Sequence, residues 1–152
     1  MSHDDTDIFF MRIAIEEALL AFNEGEVPVG AVLVMDNKVI AKAHNCRETT
    51  NDPTGHAEIL ALRSGAGGDN RWRLTCAALY VTKEPCVMCA GAMLNARLGR
   101  LVYGCKDEKG GAVDSLYKLL SDKRLNHQVE TLSGVLEEEC AEILKNFFKS
   151  RR

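Results

Sequence analysis

Two short stretches, His56-Ala57-Glu58 and Pro85-Cys86-Val87-Met88-Cys89, stand 26 residues apart and constrain this chain more than anything else in it. They hold three side chains that ligate zinc and one carboxylate, so the fold has to bring two distant segments to one place. Cys86 and Cys89 are three apart and share one face of a helix. Pro85 suits the first position of that helix. A helix N-terminus lowers thiol pKa values and so favours the thiolates that bind metal. His56, at the start of another expected helix, supplies a third ligand. Three protein ligands leave one tetrahedral position open, which separates a catalytic zinc from a structural one. A zinc held this way can lower the pKa of a bound water from about 15.7 to roughly 7. Glu58 stands two residues beyond His56, near the metal but free of it, where a carboxylate can act first as general base and then as general acid. Two other readings use the same residues. A Cys-x-x-Cys redox pair leaves the His-x-Glu a coincidence. A structural zinc completed by His44 or Cys46 leaves Glu58 idle.

The chain of 152 residues is expected to form a single domain, 1–152, with residues 1–6 frayed. Its 46% hydrophobic and 27% charged residues are ordinary for a globular protein. A net charge of −3 gives no overall attraction to a polyanion, so a nucleic acid would have to meet a local basic patch. Six cysteines allow three disulfides in a secreted protein. However, the polar, acidic N-terminus lacks an apolar signal core. No apolar run approaches the roughly 20 residues of a membrane span. A reduced, cytoplasmic protein with no membrane partner fits better.

Hydrophobic periodicity lays out the elements. A first helix, capped by Thr6 or Asp7, runs to Asn23 and stops at Gly25. Strands at 29–35 and 38–44 are joined by Asp36-Asn37, with Lys38 and Lys42 marking the second as an edge. A helix over 56–63 is stopped by Gly65, Gly67 and Gly68. A wholly apolar strand at 77–82 is central, a helix runs from Pro85 to about Ala96, and a strand spans 101–104. A short helix over 113–121, a strand at 128–132 and a last helix from near Ser133 complete the chain. Leu136, Cys140, Ile143, Leu144 and Phe147 share one face of that helix. This alternation predicts an α/β fold, a three-layer αβα sandwich around a five-stranded mixed sheet.

The runs around the metal motif carry a resemblance. Glu26-Val27-Pro28-Val29-Gly30-Ala31-Val32-Leu33-Val34, Asn51-Asp52-Pro53-Thr54-Gly55-His56-Ala57-Glu58-Ile59-Leu60-Ala61-Leu62-Arg63, Glu84-Pro85-Cys86-Val87-Met88-Cys89-Ala90-Gly91-Ala92-Met93 and the closing Phe147-Phe148-Lys149-Ser150-Arg151-Arg152 resemble the bacterial tRNA-specific adenosine deaminases of the cytidine-deaminase-like superfamily. The resemblance implies a homodimer acting on a tRNA anticodon loop and converting the wobble adenosine to inosine. It implies one Zn2+ per subunit on His56, Cys86 and Cys89. Zinc-bound hydroxide would attack adenine C6, with Glu58 carrying the proton and ammonia leaving. Asn45 would hydrogen-bond the base, in a pocket shared with Val29 and Ala57. The base must be splayed out of its stack to be reached.

Other residues keep two readings each. Asp107, with Lys106 and Lys109, accepts a ribose 2′-hydroxyl or belongs to a solvated charged loop. Lys149, Arg151 and Arg152, beside Phe147 and Phe148, form an RNA patch or answer the helix dipole. Arg71-Trp72-Arg73 is a cationic stacking site or a loop anchored by its Trp. Ala90-Gly91-Ala92 lets a helix approach closely, across a dimer or within the core. Lys83 and Gly55 depart from the family pattern, which has Leu and Ala there. The nearest rival is a deaminase of free guanine, cytosine or a nucleoside, since the Asn-Asp-Pro-Thr lead-in occurs in guanine deaminases too. A rival of another class is a non-catalytic zinc-binding or RNA-binding module.

Overall fold

β1 (Gly30–Met35) and β2 (Lys38–His44) form an antiparallel hairpin. Its turn residues Asp36 and Asn37 have φ of 53° and 59°, the left-handed pair of a type I′ turn, whose twist matches that of the strands. The structure, a computed structural model, describes residues 4–68 and 70–151. β1 pairs antiparallel with β3 (Ala77–Lys83), β3 parallel with β4 (Arg100–Cys105), and β4 parallel with β5 (Glu130–Ser133). The order is β2-β1-β3-β4-β5. The apolar β3 is therefore central, and Lys38 and Lys42 lie on an edge strand, as their sequence demands.

Side chains alternate across the sheet. Val32, Val34, Tyr80 and Val102 face α1 (Asp5–Asn23) and α4 (Glu137–Ser150), packing with Phe10, Met11, Ile15 and Cys140. Ala31, Leu33, Leu79, Val81 and Leu101 face α2 (Ala57–Gly68) and α3 (Val87–Asn95), packing with Ala61, Leu62, Cys89 and Met93. Two helices on each face make the expected αβα sandwich. At Gly30 a Cβ would lie 2.0 Å from the Ala14 carbonyl oxygen, so β1 and α1 meet backbone to backbone. No helix among the described residues is long and apolar enough to cross a membrane.

Several boundaries differ from expectation, each for a physical reason. α1 begins at Asp5, because Asp4 Oδ1 accepts the Thr6 amide at 2.7 Å and caps the helix. The expected fraying of residues 1–6 therefore does not extend to 4–6; residues 1–3 lie outside the described residues. Asp7 is no cap but a buried acceptor, taking the Tyr80 hydroxyl at 2.7 Å and the Arg100 guanidinium at 2.8 and 2.9 Å. α2 continues through Gly65, where a Cβ would come within 2.3 Å of Leu33 Cδ2, so this glycine serves close packing and does not stop the helix. The helix expected over 113–121 is reduced to a 3₁₀ turn, Leu119–Ser121, because the amides of Val113, Asp114 and Ser115 donate to the Glu84 carboxylate. α4 starts only at Glu137, after β5 and the left-handed residues Gly134 and Leu136 have turned the chain.

Candidate active site

His56 immediately precedes α2, and Cys86 is the N-cap of α3, with Pro85 just before it and outside the helix. Both helices lie on one face of the sheet, α2 starting after the loop that follows β2 and α3 soon after β3, at strand ends where α/β folds gather ligands. His56 Nδ1 lies 3.6 Å from Cys86 Sγ and 3.5 Å from Cys89 Sγ. The three donor atoms all lie within 4.8 Å of one another, and they are the one such His/Cys/Asp/Glu group among the described residues. A tetrahedral zinc with Zn–N of about 2.05 Å and Zn–S of about 2.3 Å requires an N···S edge of about 3.6 Å. Both N···S distances match that edge, so the donor set suits zinc. Among the described residues no fourth His, Cys, Asp or Glu joins this group to close a structural site. His44 spends its ring nitrogens on Glu17 at 2.9 Å and Glu24 at 3.1 Å, while Cys46 Sγ lies 3.7 Å from the Thr50 hydroxyl. All six cysteines are free thiols, so the disulfide reading falls.

The electrostatics suit a cation. Hydrogen bonding from Cys89 and from His56 lowers the Cys86 thiol to about 3, against its burial. The same contact with Cys86, together with burial, drives the Cys89 thiol upward. The two sulfurs are coupled to one another, and both give up their protons on ligating a dication. The hydrogen bond with Cys86 raises His56. Glu58, in the first turn of α2 and 4% exposed, is raised by burial. A carboxyl in that position holds a proton more readily than one in water.

Next to these groups is a cavity of about 300 Å³, lined by Val27, Val29, Asn45, Arg47, His56, Ala57, Glu58, Lys83, Glu84, Cys86, Asp107 and Phe148. That volume lies at the small end of the range for small-molecule sites. Every residue expected to bind substrate is in this wall. Asn45 donates through Nδ2 to the Val27 carbonyl at 3.2 Å and accepts the Arg47 amide at 3.3 Å, and its own amide donates to the Val29 carbonyl at 3.1 Å. One Nδ2 proton remains for a ligand. Asp107 Oδ2 pairs with Lys83 Nζ at 3.2 Å, so the carboxylate expected to face a ribose already holds a cation.

The expected RNA contacts sit apart from the catalytic donors. Lys106 is exposed beside the groove between Asp107 and α4, and Lys149 is exposed next to Phe148. Arg151 stacks 4.6 Å from the Phe147 ring centroid and donates to the Gly25 carbonyl at 2.6 Å. It lines a second hollow with Phe148 and Arg47, adjoining the first. Arg152 lies outside the described residues. Trp72 is 57% exposed with Arg73 4.9 Å over its ring, so it is not a buried anchor. Gly91 faces outward, since a Cβ there would touch nothing within 4 Å.

Sequence reasoning missed three contributors. Arg47 lines the cavity. Glu26 and Glu84, both buried, brace the loops around it. Glu26 accepts from the Glu48 and Thr49 amides at 3.2 and 2.5 Å and from the Thr49 hydroxyl. Burial alone would raise Glu84, but the Ser115 hydroxyl and the amides of Asp114, Ser115 and Asp107 hold it down at about 2. A carboxylate at the end of an apolar strand was the available signal, but it does not say which loop the carboxylate holds.

Residues 3–152 match the MafB19-like deaminase family, and the chain belongs to that family. Over 146 residues, 96% of this chain and 91% of the relative, it is 49% identical to the tRNA-specific adenosine deaminase of Bacillus subtilis (strain 168). It is similar to a solved structure from work on A-to-I editing by tRNA A34 deaminases at the wobble position of transfer RNA. There the TM-score is 0.87 and the identity 47%, over 90% of this chain and 99% of that one. It is also similar to guanine deaminase from Bacillus subtilis, with a TM-score of 0.62 and 36% identity over 70% of this chain and 66% of that one. The sandwich is the cytidine-deaminase-like fold.

Proposed function

We propose that this protein deaminates adenosine to inosine at the wobble position of a tRNA, using one Zn2+ per subunit on His56, Cys86 and Cys89. The observation that carries this reading is the buried Glu58 carboxyl beside a His/Cys/Cys donor set in a cavity walled by Asn45. Similarity to tRNA-specific adenosine deaminases over nearly the whole chain supports the substrate. Zinc supplies, when bound, the Lewis acid that makes water nucleophilic at neutral pH. Glu58 takes a proton from the attacking water, delivers it to adenine N1, and then moves a proton to the departing amine, so that adenosine and water become inosine and ammonia. Burial suits Glu58 to this alternation, because its protonated form is not costly. Asn45, Val29 and Ala57 hold the base. Asp107 meets the ribose. Lys106, Lys149, Arg151 and Arg152 meet the RNA backbone, with the half-exposed Phe148 as a stacking surface.

A homodimer in the cytoplasm completes the proposal. The α2–α3 face is the surface proposed for dimerisation: Ile59, Leu62, Ala66, Trp72, Ala92 and Ala96 line an open apolar hollow there, next to the outward-facing Gly91. Sedimentation of the wild type and of Ala92→Arg checks it; a monomeric wild type would remove it.

The experiment for the activity is incubation of the purified protein with an anticodon stem-loop bearing a wobble adenosine, and separately with free guanine, cytosine and adenosine. Inosine in the stem-loop is the expected product. Ammonia from free bases alone would favour the second reading, a free-base deaminase, which the similarity to guanine deaminase keeps in view.

A further inference from the structure

We propose that Lys83 determines specificity at this site, its ammonium binding a backbone phosphate of the strand that carries the reacting base. The proposal rests on the deaminase reading above and narrows its substrate to a nucleotide within a strand. Lys83 is the last residue of the central strand β3, and its side chain, 29% exposed, lies in the same cavity wall as Glu58, His56 and Asn45. Stability does not account for a cation there. An apolar side chain of similar length would fill the wall without the desolvation cost of a partly buried ion pair, and such replacements are commonly neutral or favourable.

Nor does Asp107 depend on Lys83 for its position. Its Oδ1 accepts the amides of Lys109 at 3.1 Å and Gly110 at 3.2 Å, and its own amide donates to Glu84 at 3.1 Å. The carboxylate is therefore held by backbone, and it in turn fixes the Lys83 ammonium at 3.2 Å. That contact uses one of three N–H donors.

The sheet order gives the ammonium its meaning. β2, β1 and β3 are neighbours, so the residues beyond their ends at this edge run from Arg47 through Val29 to Lys83. Arg47 and Lys83 are the two cationic side chains that line this cavity with Val29. A free purine or a nucleoside carries no charge for either cation to meet. A nucleotide inside a strand carries one phosphate on its 5′ side and one on its 3′ side, and two cations in the cavity wall match that pattern. Lysine binds phosphate as a point charge and does not need bidentate geometry.

The decisive measurement uses an RNA stem-loop containing the reacting adenosine, and two copies in which the 5′ or the 3′ flanking phosphate is an uncharged methylphosphonate. Wild type, Lys83→Met and Lys83→Arg are compared in steady-state kinetics. We expect Lys83→Met to raise KM about tenfold with kcat within about twofold, and Lys83→Arg to recover most of the loss. Wild type should lose a similar factor with one of the two methylphosphonates, and Lys83→Met should be indifferent to that same replacement. The salt dependence of KM should weaken by about one ion. A wild type indifferent to both replacements would overturn the proposal without reference to any variant's folding. So would a Lys83→Met enzyme that still responds fully to them, or one that loses kcat instead. Absence of any turnover by wild type on the unmodified RNA is a different result, and it would remove the tRNA-deaminase reading on which the proposal rests.

Discussion

Glu84 Oε2 accepts a hydrogen bond from the Asp114 amide at 2.8 Å. The same carboxylate takes the amides of Val113 at 3.1 Å, Ser115 at 2.9 Å and Asp107 at 3.1 Å, and the Ser115 hydroxyl at 2.5 Å. Two residues later the chain presents Cys86. One buried anion therefore joins the turn that carries Cys86, a proposed metal ligand, to the segment that carries Asp107.

Glu84→Gln turns an NH2 group toward amides that are themselves donors. We expect a loss of about 3–5 kcal/mol, since the buried network loses its charge and one of its two acceptor oxygens. The pH dependence has a definite sign. The folded-state carboxyl is held at about 2, below its ordinary 4.5, so its contribution is complete above pH 4.5 and is lost as pH falls toward 2. Urea midpoints at pH 6, 4 and 3 should fall steeply for the parent and less steeply for the variant.

Metal removal should lower stability as well as activity. The His56 nitrogen lies at zinc-binding distance from both sulfurs, so a dication bound there stabilises the folded arrangement that presents the three donors. At a hundredfold excess of free metal over Kd, binding adds about 2.7 kcal/mol. For a chain of this size that corresponds to roughly 5–10 °C in Tm. A chelator should remove that increment and added zinc should restore it, while Cys86→Ser should show neither effect. A melting temperature indifferent to both would count against the metal site.

The donors were legible in the sequence because their information is local. His56 with Glu58, and Cys86 with Cys89, are short spacings at helix starts, and the helices formed nearly where periodicity placed them. The apolar run in β3 likewise announced a central strand. What stayed hidden depends on distant partners. Glu84 reaches residues 23 to 31 positions away, and Glu26 reaches residues 22 and 23 away. No spacing rule connects such groups. The missing helix over 113–121 has the same origin, for its pattern was sound but its amides were claimed by Glu84. Lys83, three residues before Cys86, was legible as a neighbour of the site facing solvent or a phosphate, but its pairing with Asp107, 24 residues on, was not.

Glu58→Gln should keep the fold and the metal while losing deamination. The amide preserves shape but cannot carry a proton, and removing a general acid–base typically costs 10²–10⁴-fold in rate. Burial raises this carboxyl above 4.5, so its ionised form weakens the fold at neutral pH, and the variant should melt no lower than the parent. Metal content, melting temperature and inosine formation measured on one preparation separate these claims. Activity within tenfold of the parent would rule out the proton route through Glu58.

His44 makes the opposite pH prediction. Its ring is clamped between two carboxylates from α1 and the turn that follows it, Glu17 at 2.9 Å and Glu24 at 3.1 Å. Both ring nitrogens can donate at once only in the imidazolium form. Burial pulls its pKa down, but the two carboxylates more than offset this and raise it above 6.5. The stabilisation is therefore full below pH 6.5 and fades as pH rises through the folded-state value. His44→Gln should cost about 1–3 kcal/mol at pH 6 and distinctly less at pH 9, read from urea midpoints. His44 is adjacent to Asn45, whose amide pairs with the Val29 carbonyl at 3.1 Å, so loosening this clamp acts on the cavity wall too. A proton resonance of the His44 ring that titrates below 6.5 would show that the bridge is not formed in solution.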